Sequence, residues 1–233
     1  MKESNLTMPM PKNTAKRNEI LNCAFQLISE TEYNKVFLRD IAEKANINKS
    51  LLQHYFPKKS DIIENILDDL LELSFRYVEY IVPENESMHL RLSVYTSLFW
   101  EMVSNHDRLN NFATNIISER EILNIWINIV YKWLRTFNEN GESRLSDDNL
   151  KAALAFSIAG GLELYLYRDE MQIDVMFICR HITASFMNIL NISDKEIKRV
   201  LSQAKLVLEK LDIQEFNVYC RNNIEWFPGV SIE

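Results

Sequence analysis

Leu38-Arg39-Asp40-Ile41-Ala42-Glu43-Lys44-Ala45-Asn46-Ile47-Asn48-Lys49-Ser50-Leu51-Leu52-Gln53-His54-Tyr55-Phe56 is the stretch on which the reading of this chain turns. Leu38, Ile41, Ala42 and Ala45 fall on one face of a short helix. Asn46 suits a tight turn because asparagine tolerates a left-handed backbone, and Ile47 plugs the corner. Asn48 can cap a second helix by accepting a bond from an orphan backbone N–H. Leu52 and Phe56 then face inward at i and i+4, leaving Lys49, Ser50, Leu51, Gln53 and His54 outward. Two short helices about a tight turn, the second with a polar, partly basic outer face, form a helix-turn-helix pattern. Such a face can enter a DNA major groove about 12 Å wide. An ordinary amphipathic helical hairpin has the same outline, so the pattern alone leaves both readings open.

Charge distribution favours the nucleic-acid reading. The whole chain of 233 residues carries −7. Residues 1–60 nevertheless hold ten lysines and arginines against six acidic residues, a net +4, so the remainder carries −11. A basic head on an acidic body is expected when one domain alone meets phosphate.

The rest of the composition narrows the class. Hydrophobic residues make up 47% of the chain and charged residues 25%, an ordinary balance for a globular protein. No apolar run approaches the roughly 18 residues of a membrane span, and Met1–Thr14 lacks the apolar core of a secretion signal. The expectation is therefore a cytoplasmic protein with no membrane partner. Cys23, Cys179 and Cys220 are odd in number and far apart, which fits buried free thiols rather than a disulfide or metal set. The histidines at 54, 89, 106 and 181 show no metal-ligand spacing. There is no glycine-rich phosphate loop and nothing marks a nucleophile. An enzyme, a metal and a cofactor are all set aside on these grounds.

Punctuation indicates an all-α chain. Only four glycines and five prolines occur, no proline lies between Pro83 and Pro228, and alternating apolar runs bounded by turn residues are missing. Helices are expected near 14–31, 38–45, 48–55, 59–82, 87–106, 108–117, 119–140, 147–169, 171–190 and 194–212. Ser118 with Glu121 and Ser193 with Glu196 read as capping boxes, and Ser146 before Asp147 and Asp148 as a third start. Pro57 closes the head. The expected division is a flexible arm at 1–13, a helix-turn-helix domain at 14–58, a larger helical domain at 59–212 and a tail at 213–233 containing Trp226 and Phe227. The helix after Pro57 has a broad apolar face (Ile62, Ile63, Ile66, Leu67, Leu70, Leu71) and is a candidate lever between head and body.

These residues resemble the N-terminal domain of the TetR family of bacterial transcriptional regulators. The resemblance runs from Arg17 to about Ile63. It includes Ile20-Leu21, Ala24-Phe25, Tyr33, Arg39-Asp40-Ile41-Ala42, Ala45, Ile47, Leu52, Tyr55-Phe56 and Lys59. Beyond it, the chain shares only the family's helix number and lengths. The sequence also departs from the family pattern. Glu32 and Asn46 stand where glycine is usual, Phe37 where a phosphate-touching threonine caps the second helix, and Gln53 where tyrosine is usual.

The resemblance implies a homodimer, two recognition helices roughly 34–36 Å apart on a near-palindromic double-stranded DNA site, and repression relieved by a small-molecule effector. It makes Lys49, Lys58 and Lys59 phosphate contacts, with Arg39, Asn48 and Tyr55 beside them. Gln53, Ser50 and Leu51 become the base-reading set, with His54 on the same outward face. Lys12, Lys16 and Arg17 could extend a basic arm to the backbone or minor groove, or belong to a disordered tail with no contact. Leu51 could instead be a core residue, and Gln53 and His54 merely solvated. Leu154, Ile158, Gly161, Leu162 and Tyr165, with Ile178, Ile182, Phe186 and Ile189, form two stripes expected to pair subunits, although one chain could bury both itself. Tyr95, Phe99, Trp100, Phe112, Trp126 and Tyr131, with His106 and Asn115 as polar contacts, are the candidate effector site; an ordinary aromatic core fits them as well. The changes at Phe37 and Gln53 favour a second reading, a TetR-like adaptor acting through a protein partner.

Overall fold

The computed structural model describes residues 14–139 and 145–224. Among the described residues the regular structure is helical, with twelve α-helices, one 3-10 turn (Tyr33–Lys35) and no strand. The head consists of α1 (Thr14–Glu30), α2 (Leu38–Lys44) and α3 (Lys49–Tyr55). The long α4 (Lys59–Ile81) leads into α5 (Met88–Ser104), α6 (Asp107–Ile117), α7 (Arg120–Glu139), α8 (Asp147–Leu166), the single turn α9 (Arg168–Met171) and α10 (Val175–Ile189). α11 (Asp194–Leu208) and α12 (Ile213–Asn223) complete the described chain. The all-α expectation holds.

The body is built around α5, which is buried on every side from Leu90 to Trp100. A helix that is apolar all round belongs in the interior, and α4, α6, α7, α10, α11 and α12 surround it. Two of its hydroxyls are satisfied within the helix: Thr96 donates to the Leu92 carbonyl at 2.8 Å and Ser97 to the Ser93 carbonyl at 2.9 Å. Arg91 is also buried. Its guanidinium donates to the carbonyls of Pro83 (2.6 Å) and Val82 (3.4 Å) and lies 4.6 Å from the Phe137 ring centroid. The end of α4 is thereby tied to α5 and α7.

Two caps form as expected. Ser193 accepts from the Glu196 N–H at 3.3 Å and Ser146 from the Asn149 N–H at 3.2 Å. The box at Ser118 does not form. Ser118 has helical backbone angles at the end of α6, and α7 starts at Arg120. The single helix expected over 147–169 also breaks, at Tyr167. There Arg168 donates to the Tyr165 carbonyl at 2.6 Å and to Asn110 Oδ1 at 3.0 Å, and the Tyr165 hydroxyl meets the same oxygen at 2.7 Å. These bonds to α6 turn the chain out of α8. The expected tail begins with a helix, α12, capped by Asp212, which accepts from the Gln214 N–H at 2.8 Å. Trp226, Phe227, Lys12 and the rest of the 1–13 arm lie outside the described residues.

No helix among the described residues is long and apolar enough to cross a membrane.

Candidate nucleic-acid interface

The corner between α2 and α3 follows from its sequence. Asn46 has φ 50°, in the left-handed region that asparagine accepts at modest cost. Asn48 caps α3 by accepting from the Leu51 N–H at 2.8 Å. Leu52 and Phe56 are buried against the head core with Ile41, Ala42 and Ala45. With those residues inward, Lys49, Ser50, Gln53 and His54 are exposed and Leu51 keeps 40% of its surface. Leu51 is therefore outside the core. Tyr55 is half-buried beside His54, at 6.1 Å between ring centroids. Nothing described in the chain covers the outward edge of α3.

Beside α3 runs a groove of about 470 Å³ lined by Val36, Phe37, Leu38, Arg39, Lys49 and Lys59. Phe37 stands 54% exposed at its lip with the Arg39 guanidinium 5.3 Å from its ring. Lacking a hydroxyl, Phe37 gives α2 no side-chain cap; Asp40 instead accepts from the Phe37 N–H at 2.7 Å. The same arrangement starts α4, where Asp61 accepts from the Lys58 N–H at 2.9 Å and the Lys58 side chain is left exposed.

Several expected contacts point elsewhere. Lys59 turns inward, donating to the carbonyls of Tyr33 (2.6 Å) and Val36 (2.8 Å) with its ammonium 3.6 Å from the Tyr33 ring. Burial pushes its pKa down, opposed by Glu119 and Asp40. The same burial, with Glu121 and Glu119 nearby, pushes the Tyr33 hydroxyl up to about 12. Lys59 is thus a strut joining α4 to the α1–α2 loop, not a free phosphate ligand. Arg17 likewise donates to Asn65 Oδ1 at 2.6 Å and lies 3.9 Å from Asp69, tying α1 to α4. Lys16 pairs with Glu19 one turn away.

The stripes expected between subunits face each other within one chain. Leu154, Ile158, Leu162, Tyr165, Ile178, Ile182 and Phe186 are buried where α8 packs on α10 and on the rest of the body. A Cβ on Gly161 would meet Ile182 Cγ1 at 2.3 Å and Cδ1 at 2.4 Å, so this glycine allows α8 and α10 to approach closely. Of that set Ile189 alone is exposed, at 38%. The opposite face of α8 is open: Phe156 is 69% exposed and the position of a Cβ on Gly160 is clear of other atoms. Sequence reasoning missed this face, although Phe156 in an alanine-rich stretch was the available signal.

The aromatic set fills its own space. Trp100 stacks on Trp126 at 5.5 Å and lies 4.2 Å from Tyr165, Phe99 meets Trp126 at 5.3 Å, and Trp126 Nε1 donates to the Tyr95 hydroxyl at 3.3 Å. Phe112 packs on Phe25 of the head at 5.0 Å. Asn115 donates to the Ile28 carbonyl at 2.8 Å and so joins α6 to α1. His106 stands at the start of α6, and the Tyr131 ring lies under Lys151 at 4.6 Å. A cavity of about 600 Å³ opens elsewhere, between α5, α10 and α11, and none of these residues lines it.

Residues 20–66 match the family model of bacterial regulatory proteins of the tetR family. No curated protein matches the chain. Among solved structures, RolR in complex with resorcinol is similar at 17% identity, covering 82% of this chain and 95% of its own, with a TM-score of 0.56. A TetR transcriptional regulator from Rhodococcus sp. RHA1 is similar at 14% identity over 77% and 98%, TM-score 0.52. TylP, a TetR regulator from Streptomyces fradiae, is similar at 18% identity over 83% and 99%, TM-score 0.50. At these identities the likeness is one of fold.

Proposed function

We propose that this chain, a transcriptional regulator of the TetR family by its N-terminal domain, binds a near-palindromic DNA operator as a homodimer and releases it when a small effector occupies the body. The observation that carries the reading is the outward edge of α3, where Lys49, Ser50, Leu51, Gln53 and His54 stand clear while Leu52 and Phe56 fix the helix from beneath. In this reading Lys49, Lys58 and Arg39 meet phosphate, which sets affinity and salt dependence. Gln53 pairs with adenine, Ser50 bonds a base edge and Leu51 packs on a thymine methyl. Lys59 and Arg17 hold the head rigid instead of touching DNA.

Two heads bind together only if their α3 helices lie about one DNA turn apart. The outward face of α8, with Phe156 and Gly160, together with the exposed end of α10 at Ile189, is the surface we assign to the second copy. An effector acts by preferring the state in which that spacing is wrong. The head is coupled to the body by Asn115 on the α1 carbonyl, by Asn34, which donates to Glu119 at 2.5 Å, and by α4. That RolR shares this fold and holds resorcinol supports an organic molecule as the effector class.

The test is a mobility shift of the purified protein on fragments of the DNA flanking its own reading frame, repeated across salt concentrations. The expected result is salt-sensitive binding to one fragment at two protomers per site. Absence of binding to every fragment would favour the adaptor reading, in which Phe37 serves a protein partner; its exposure on the head is the observation in favour of that alternative.

A further inference from the structure

The cavity of about 600 Å³ between α5, α10 and the α11–α12 junction has a marked division of chemistry. Leu98, Met176, Leu201, Leu208 and Ile213 give it an apolar trough. Charges gather at the rim. Lys205 and Glu209 pair with each other at 3.6 Å, and the Glu101 carboxylate accepts from Asn105 at 3.2 Å. Arg180 also lines the cavity, is exposed, and its guanidinium has no hydrogen bond or ion pair with any described residue. The site therefore combines an apolar trough with one uncommitted guanidinium, a group whose planar fork matches a carboxylate bidentately. The volume falls within the usual range of small-molecule sites, about 300–1,000 Å³.

We propose that this cavity binds a small amphipathic carboxylate, its apolar chain over Leu98, Met176, Leu201 and Leu208 and its carboxylate on Arg180. The location gives the occupant a route to the head. Ile213, in the cavity wall, is the first residue of α12, and α12 runs along α4 with Phe216 4.8 Å and Tyr219 5.3 Å from Tyr77. At its far end Asn223 and Ile224 line a cleft with Thr14, Arg17 and Asn18 of α1 and Asp69 of α4. A molecule that shifts the α11–α12 junction therefore acts on the head through α12. This deepens the regulator reading and rests on it for the effect on DNA, but not for the binding itself.

The experiment is titration calorimetry of the full chain without DNA, using octanoate with 1-octanol and octylamine as length-matched controls. Octanoate is expected to bind about tenfold more tightly than either control, a margin set by the charge-assisted pair. Arg180→Gln should remove that margin, and Arg180→Glu should move the preference to octylamine; an exposed side chain can be exchanged without threatening the fold. Leu201→Trp, which fills the trough, should abolish binding of all three. Equal binding of the three compounds, or octanoate binding unchanged in Arg180→Gln, would overturn the site. A mobility shift with octanoate present then tests the route: a bound carboxylate that leaves DNA affinity unaltered overturns signalling through α12. Absence of DNA binding altogether counts against the operator reading and leaves the calorimetric result standing.

Discussion

Lys49 and Lys59 show how far a residue's role depends on its surroundings. Both are lysines beside the same groove, but Lys59 spends its ammonium on two carbonyls and a tyrosine ring while Lys49 stands in solvent. Lys49→Ala should weaken binding to specific and random DNA alike and flatten the log–log salt slope by about one. An unchanged slope in filter binding across a salt series would remove Lys49 from the phosphate contacts. Gln53→Ala should relax preference at one base step by roughly 1–3 kcal/mol, read by selection from a randomised site; unaltered preference there would rule out base reading by Gln53. The inward turn of Lys59 and Arg17 was not legible in the sequence, because their acceptors come from separate elements, Tyr33 and Val36 in one case and Asn65 in the other. His89 supplies a pH test. Burial lowers its pKa below the ordinary 6.5, with Glu196 opposing and Arg199 reinforcing, and its buried Nε2 has no hydrogen-bond partner among the described residues. Below 6.5 the unfolded state then binds more protons than the folded one, so the stability tied to neutral His89 is complete above 6.5 and is lost as pH falls beneath it. Urea midpoints should drop between about pH 7.5 and 5.5, and His89→Leu should shrink that drop; an equal drop in the variant would place its cause elsewhere.

Where an element's signal is local, the sequence carried it. Ser146, Ser193 and Asn48 cap the helices they precede, and Asn46 takes the left-handed turn. Ser118 fails as a cap because α6 keeps it, and α8 ends early because Arg168 and Tyr165 reach Asn110 on a helix distant in sequence. α12 had readable signs, with Asp212 before it and Phe216, Cys220 and Ile224 buried at four-residue spacing, but its remaining residues are largely polar. The cavity at the α11–α12 junction had no such sign, since its walls come from α5, α10 and α11 and exist only once those helices meet. The α8–α10 contact can be tested at this scale. Gly161→Ala gains about 1 kcal/mol of helix propensity, yet its methyl collides with two atoms of Ile182. Such overpacking costs about 1–3 kcal/mol, so a net loss of stability is expected. Ile182→Val removes one of the colliding atoms, Cδ1, and should be less harmful in the Gly161→Ala background than alone. Additive losses in urea unfolding would show that α8 and α10 separate freely at this point.

The molecule as a whole sets one question that periodicity could not settle, namely which apolar face of a helix meets its own chain and which meets another. α8 carries two. Leu154, Ile158 and Leu162 are buried in the body, while Phe156 stands 69% exposed in a stretch that includes the exposed Ala152 and Gly160. Ile189 on α10 is exposed as well. The continuous stripe reads equally as a subunit contact or as internal to one chain, and burying it is what folds the single chain; the short exposed face around Phe156 offers too few apolar positions to stand out by periodicity. A dimer through the remaining face predicts that Phe156→Glu yields a monomer, because it would place paired carboxylates in an apolar seam. The loss should carry over to DNA. Two linked heads gain about 10²–10⁴ in affinity over one from effective concentration alone, so the monomer should retain only half-site binding with a correspondingly shallower salt slope. Tyr80→Glu is the matched control, since Tyr80 is also an exposed aromatic residue but lies on α4. It should remain a dimer in sedimentation and keep full operator affinity. If Phe156→Glu sediments as a dimer and binds the operator undiminished, the second copy sits elsewhere, and the spacing of the two α3 helices must be derived from that other surface.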